Sequence, residues 1–387
     1  MPTYLNSRLA NIFVAGFLKS NAISQLGPSE SLKELIDIFV DLETNGLNLK
    51  LKGKTVKVYF VLVSFLGDNL GINVLSGFAP SFSSMFFCRF CKTNKYNAQI
   101  QIIIDDTLIR TVENYNEDKH RDFKETGIEE PSDLNKLTCF HVVNNQVVDI
   151  MHDFFSHGIC NYDLAIILEY MIVKLKISLK KINYCIQVFD FGPTENRNKF
   201  RKITRQHISK VAFKMTAREM MMFIHYFPLL FGTLFPLNDK VWDFACSLVE
   251  LVDSILLPRY TTEILDALQE QIVYHHTLYL KLFKTKLKPK YHIPLHYVQS
   301  IKHVGHIRYI WCFRFEAFHQ IFKQYCRNIT SRVNICLTLC IKAGLVFANN
   351  LKDNNFIPPI IKYTKGKLLL PNLEIFQYLK TFINFLL

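Results

Sequence analysis

The chain has 387 residues, 49% hydrophobic and 20% charged, which is enough apolar content for a sizeable core and excludes global disorder. Its 46 Lys and Arg against 33 Asp and Glu give a formal net charge of +13, which favours polyanionic partners, nucleic acid first and acidic membrane second. The 10 cysteines show no secretory framework and no cleavage pattern follows the apolar stretch 9–18, so reduced thiols in a nuclear or cytoplasmic compartment are expected.

In chain order, Ser31-x-x-Glu34 reads as a capping box. Leu32, Leu35, Ile36, Phe39, Val40 and Leu42 follow it at helical spacing, and Asn45-Gly46 ends the helix. A hairpin is expected from Leu47–Leu51 and Thr55–Leu66 around Lys52-Gly53-Lys54. The second run becomes continuously apolar and reads as a central strand buried on both faces, ending at Gly67-Asp68. Residues 105–135 turn polar and read as a connector with short helices. Beyond residue 147 helices dominate: 162–176, one capped by Thr216-x-x-Glu219, 239–256 and 261–283. Lys284–His296 reads as a basic loop with two prolines. A strand-like Tyr309–Phe313 passes into a helix at 316–327, and 335–349 is a last apolar helix in which Cys336 and Cys340 read as core.

The stretch 220–237 lacks charge and is long enough to raise a membrane span, but Pro228 and Pro236 favour a buried bend, and no membrane partner is expected. The organisation expected is α/β but mostly α. It comprises an α/β core fragment (1–104), a polar connector with an Asp/His segment (105–158), a helical insertion (159–306), a return to the core (307–350) and a tail (351–387).

Several residues carry chemistry. Asp68, at a strand end, suits an oxygen-bound Mg²⁺ or Mn²⁺, or else opens a turn. Cys88-x-x-Cys91 has the spacing of half a zinc site. Cys139, His141, His152 and His157 are candidates for the other half, with His120 behind them, and His141 and His152 complete the preferred set. Asp149-Ile-Met-His152-Asp153 offers metal ligands or a helix start with Asp153 near the positive end of the dipole. Two basic ridges can neutralise phosphates: Arg197, Lys199, Arg201, Lys202 and Arg205, then Lys286, Lys288 and Lys290. Either can equally be a solvated face. Glu316, His319 and Lys323 share one helical face; either Glu316 meets Asp68 across a metal or the three form only the polar face of a surface helix.

Taken in order, Gly67-Asp68-Asn-Leu-Gly, Gly77-Phe78, Phe82, Cys88-Arg-Phe-Cys91, Val148-Asp149-Ile-Met-His152-Asp153, Leu287-Lys-Pro-Lys-Tyr-His292, His296-Tyr297 and Trp311-Cys-Phe-Arg314-Phe-Glu316-Ala-Phe-His319 resemble transposase-like proteins of DNA transposons. The grouping is the one that includes CACTA and related cut-and-paste elements, and the resemblance extends over about residues 30–345. It implies an RNase H-like catalytic fold interrupted by a helical insertion, with three carboxylates and two metal ions that cut and join DNA. Asp68 then resembles the second acid and Glu316 the third, and the first is expected upstream of anything in this chain. The chain departs from the family at Phe154–Gly158, where a Glu is absent, and at Gly305-His306. The resemblance therefore implies a truncated relic that binds DNA, keeps structural Zn²⁺, is compatible with a homo-oligomer and does not catalyse strand transfer. The alternatives are a helical protein-interaction module and, last, a membrane protein spanning 220–237.

Overall fold

The computed structural model describes residues 8–195, 198–330 and 333–353. These are mostly helical, with one small sheet. The first helix, α1 (Ser20–Thr44), breaks at Gly27, whose φ of +78° an L side chain rarely adopts. Pro28 opens the second piece, where its missing N–H costs nothing. The expected capping box is therefore not formed: Ser31 lies inside the helix and its buried hydroxyl has no hydrogen-bond partner. The helix does end at Asn45-Gly46, as expected.

Strands β1 (Leu47–Leu51) and β2 (Lys54–Val58) pair antiparallel, with Leu47 opposite Val58 and Leu51 opposite Lys54. The expected long buried strand is corrected here. β2 stops at Val58, and the apolar run beyond it makes one parallel bridge, Phe65 to Gln146. Tyr59, Phe60, Val61 and Val63 are 44–68% exposed. Among the described residues no third strand lies beside β2, which leaves these side chains partly exposed.

Gly67 leads into a short helix, α2 (Asn69–Leu75), capped by Asp68. Gly77 follows, with φ +74° and the Glu130 carbonyl where a Cβ would stand, 2.0 Å away. The connector is polar and carries short helical turns, as expected, at Val112–Asp118, Phe123–Thr126 and Asp133–Lys136. Its buried residues Tyr115, Ile128, Leu134 and Phe140 form a small core with Ile36 of α1.

The main core is helical. It contains α3 (Ile159–Val173), α4 (Leu179–Val188), α5 (Ala217–Phe231), α6 (Lys240–Ile255) and α7 (Thr262–Phe283). Helix α3 is mostly apolar because it is mostly buried, with Ile159, Leu164, Ile167, Leu168 and Met171 inside and Glu169 left on the exposed side. The charge-free stretch at 220–237 is the inner face of α5, with Met220 to Ile224, Phe227, Leu230 and Phe231 buried against the core. Each such side chain contributes roughly 1.5–3 kcal/mol of burial. Pro228 lies inside the last turn and a 3₁₀ turn without buried residues follows, so the chain bends here as expected but the bend, with Pro236 exposed, is not buried.

The capping box at Thr216 and Glu219 is also present, each side chain taking the other's backbone N–H. Thr216→Ala should lower stability by about 1 kcal/mol in urea unfolding.

Pro289–His296 is a 3₁₀ helix rather than a loop, and it runs into α8 (Tyr297–Val304). The expected strand at Tyr309–Phe313 is absent. A 3₁₀ turn at Ile307–Tyr309 leads instead into α9 (Cys312–Asn328), because Asp149 accepts the Cys312 N–H at 3.0 Å and starts the helix there. Helix α10 (Ile335–Lys352) forms as expected but lies on the outside, with Cys336 half-buried and Cys340 exposed, so neither is core. By length and composition alone it is apolar enough to cross a membrane. The expected tail at 351–387 lies outside the described residues beyond Asp353.

Candidate metal centre and acidic site

Cys88-Arg-Phe-Cys91 is a tight turn in which the Phe90 N–H points at the Cys88 sulfur, 3.4 Å away. A short antiparallel pairing backs it: Arg110 N–H to Phe90 O at 2.9 Å and Lys92 N–H to Leu108 O at 2.7 Å. Two histidines from the 3₁₀ segment, His292 and His296, close on the thiols from the other side. Cys91 Sγ lies 3.1 Å from His292 Nε2, Cys88 Sγ 3.5 Å from His296 Nε2, and the two Nε2 atoms are 3.4 Å apart.

Around a tetrahedral ion with Zn–S near 2.3 Å and Zn–N near 2.05 Å, sulfur and nitrogen stand about 3.5 Å apart and two nitrogens about 3.3 Å. The observed spacing matches that geometry. All four residues are at most 1% exposed, and Phe87 and Phe90 pack against the two imidazoles. A hydrogen bond with Cys88 draws the Cys91 thiol well below its usual range, while burial pushes Cys88 well above it. Burial lowers His296 as well. A pair of thiols at this depth ionises together only beside a cation, and the four side chains could hold a metal ion such as zinc.

The histidines belong to a segment pinned by flanking tyrosines. Tyr291 donates to Asp163, which also meets His275 Nε2 at 3.0 Å, and His275 Nδ1 faces Ser247 Oγ at 2.8 Å. Ser247 in turn donates to Phe244 O at 2.8 Å, so every polar atom of this buried chain is used. It ties α3, α6 and α7 to the metal loop.

Behind it His276 sets one ring nitrogen 2.6 Å from Ile272 O and the other 2.8 Å from Tyr291 O. Burial first, then the His275 charge, lowers its pKa to about 4. The unfolded chain then takes a proton more readily than the folded one. This contribution is complete above about pH 6.5 and is lost as pH falls toward 4. Between pH 7 and pH 5 the protein should lose about 2 kcal/mol more stability than its His276→Gln variant in urea unfolding.

The second cluster forms where Asp149, His152 and Glu316 meet. Asp149 Oδ1 takes the Cys312 N–H, and Oδ2 stands 2.5 Å from His152 Nδ1. His152 Nε2 is 3.2 Å from Glu316 Oε1. Burial works to lower His152, but the hydrogen bond to Asp149 and the charges of Asp149, Glu316 and Asp68 outweigh it, and its pKa is raised.

Asp68 caps α2 through the Gly71 N–H at 2.6 Å, and its charge also reaches His152, Cys312 and Lys290. Glu316 thus contacts His152 directly, whereas Asp68, 248 positions from Glu316 in the sequence, acts on His152 only through its charge. Asp149, His152 and Cys312 also stand close enough to surround a cation. His152 and Asp149, however, already hydrogen-bond one another, and burial pushes the Cys312 thiol up. Asp149 is therefore a helix cap and a His152 partner. It, rather than Asp153, takes the first N–H groups of the π-helical turn Met151–Phe155.

The preferred zinc partners His141 and His152 do not join the cysteines. His141 packs edge-on to Tyr115, and His152 belongs to the acidic cluster. Cys139 is exposed beside Glu43, and His157 is exposed at φ +53°. The residues that close on the thiols are His292, 201 residues from Cys91, and His296, 208 residues from Cys88, beyond the reach of any short zinc-finger spacing. Their H-x₃-H spacing, in a run rich in aromatics, was the available signal.

The basic ridges divide. Lys286, Arg201 and Lys202 are exposed; Lys199 is exposed and bonds Gln187 O; Arg205 pairs with Glu169. Lys288 lies over the Tyr162 ring, and Lys290 is corrected from phosphate contact to a structural tie, donating to His152 O at 2.6 Å and Ser156 O at 3.1 Å. Arg197 lies outside the described residues. No protein-family model matches this chain, and no curated protein matches it.

Proposed function

We propose that the chain is a transposase-derived nucleic-acid-binding protein. In this reading its Cys₂His₂ centre holds a structural Zn²⁺, and its Asp68 and Glu316 are the remnant of an RNase H-like, Mg²⁺- or Mn²⁺-dependent acid site. One observation carries the reading. The distant segments whose order resembles the transposases converge: 88–91 meets 292–296, and the charges of Asp68 and Glu316 both act on His152. A helical region comes between them in the chain, as the resemblance implies.

Strand transfer is not part of this reading. Asp149, the further carboxylate at the site, is committed to Cys312 and His152, and Asp68 is engaged by Gly71. The net charge of +13 and the exposed Arg201, Lys202 and Lys286 supply the phosphate-binding surface.

The test is fluorescence anisotropy on a random DNA duplex across salt. The logarithm of affinity should fall steeply with the logarithm of salt, with a slope for roughly five or more phosphates. Arg201→Glu with Lys202→Glu should weaken binding about tenfold and flatten the slope by about two phosphates. No binding at low salt by a folded sample would reject the nucleic-acid role.

The second reading, a protein-interaction module, draws on α9 and α10. Phe318, Phe322, Ala343 and Phe347 line an apolar groove of about 420 Å³, and Leu337, Ile341 and Leu345 are more than half exposed.

A further inference from the structure

We propose that the cleft between α4 and the segment 199–202 binds single-stranded nucleic acid, with a base stacked on Tyr184 and the flanking phosphates held by Lys180, Lys199 and Lys202. The inference rests on the nucleic-acid reading and deepens it, naming the surface and the form of the strand.

The cleft has a volume of about 490 Å³, within the range of roughly 300–1,000 Å³ usual for ligand sites. One wall is α4, where Lys180, Asn183, Tyr184 and Gln187 recur at spacings of three and four and so share one helical face. The chain around Lys199 and Lys202 makes the other wall, and the buried side chains of Ile186 and Phe200 complete the lining. Two ties fix the walls to one another. Asn183 clasps the Ile203 backbone, donating from Nδ2 to its carbonyl at 2.9 Å and accepting its N–H at Oδ1 at 2.8 Å. Lys199 Nζ donates to Gln187 O at 3.0 Å. Phe200 packs edge-on to Phe223 of α5, with ring centres 4.3 Å apart, which anchors the second wall to the main core. The core therefore shapes the cleft before any ligand enters, and little ordering is left for binding to supply.

Its chemistry fits one polymer. Lys180, Lys199 and Lys202 are all exposed, and among the described residues no acidic side chain lines the cleft. The Lys199 ammonium has three N–H groups, of which Gln187 O takes one and two remain for phosphate oxygens. Lys181 and Arg201, also exposed, are chain neighbours of these lysines and extend the positive surface. Tyr184 is 57% exposed among these charges, with Lys181 Nζ 5.6 Å from its ring centre. The ring thus offers a stacking platform beside a track of phosphate partners, the pairing used by single-strand-binding grooves. In a duplex each base is already covered by its neighbours, so only an unpaired strand can give Tyr184 a bare base and the lysines their phosphates together. An anionic bilayer offers the charge but no flat ring to stack inside a concave cleft.

The experiment is fluorescence anisotropy of the full chain on a labelled single strand of about 12 nucleotides, on its duplex, and on the same strand carrying abasic sites. The parent should bind the intact single strand more tightly than the abasic one. Tyr184→Ala, with the urea midpoint of the parent, should weaken the single strand at least about fivefold and erase its advantage over the abasic strand. Tyr184→Phe, which keeps the ring, should restore both. Lys180→Ala should instead lower the log–log salt slope by about 0.7, one phosphate's share on a single strand. Tyr274→Ala, at a half-exposed tyrosine of α7 outside the cleft, is the control and should bind like the parent. Folded Tyr184→Ala that binds the single strand like the parent, or a parent that binds intact and abasic strands equally, overturns the cleft. Duplex binding in that case leaves the nucleic-acid reading standing. Phosphatidylserine vesicles that bind more tightly than the strand, with the same loss in Tyr184→Ala, overturn the cleft in favour of a membrane surface. A folded parent that binds neither strand nor duplex at low salt overturns both readings.

Discussion

Cys91→Ser should strip the chain of its zinc and lower its stability by more than about 5 kcal/mol, a large part of a domain's total. The reason is the depth of the site. Cys91 faces His292 at 3.1 Å with no exposed surface, and a serine hydroxyl there neither ionises nor matches zinc. The four side chains also join segments far apart in the chain, the knuckle at 88–91 and the 3₁₀ run at 289–296. Losing the ion leaves two imidazoles, each with an unpartnered buried Nδ1, packed against phenylalanines. Cys160→Ser is the control, because Cys160 is equally buried but outside the cluster. It should keep its zinc and cost about 1–3 kcal/mol for one buried hydroxyl. Metal content by mass spectrometry and urea unfolding of both variants check this, and equal zinc in both contradicts it.

Asp163→Ala should cost about 3–5 kcal/mol, the expense of breaking a buried pair from one side. Asp163 and His275 are both fully buried at 3.0 Å, and Tyr291 shares the carboxylate. Removing the carboxylate takes away the partner of the His275 Nε2 and of the Tyr291 phenol at the junction of α3, α6 and α7, leaving His275 only its Ser247 contact. The exposed pair of Arg205 and Glu169 is the contrast. Glu169→Ala should change stability by no more than about 1 kcal/mol, because solvent screens that contact. Urea unfolding distinguishes the two, and a loss at Asp163 as small as that at Glu169 contradicts the account.

Sequence pattern served well where a local signal acts alone. The capping box at Thr216, the stop at Asn45-Gly46 and the helices around 240–255 and 262–283 need only neighbours within a few residues. Pattern failed where a distant group decides. Tyr309–Phe313 has the composition of a strand, yet the Asp149 carboxylate, 163 residues away, starts a helix at Cys312. The run after Val58 has the apolarity of a central strand, but a strand is central only if others flank it, and hydropathy does not report neighbours.

The metal centre shows both sides of this limit. Cys88 and Cys91 were legible from spacing. His292 and His296 were visible as residues but read as part of a basic ridge, because the charge of Lys286, Lys288 and Lys290 masked the H-x₃-H signal. Lys290 misled for the same reason: its charge is spent on two backbone carbonyls. Of the alternatives for Asp68, the turn-opening one is what the structure displays: its side chain caps the helix that begins at Asn69, and Glu316 contacts His152.

The central claim is that Cys88, Cys91, His292 and His296 hold one metal ion. X-ray absorption at the zinc edge of the purified full chain tests it most directly. The account predicts one zinc per chain, with two sulfur neighbours near 2.3 Å and two nitrogen neighbours near 2.0–2.1 Å. A first shell of oxygen and nitrogen alone, or a chain that retains no zinc while folded, would contradict it.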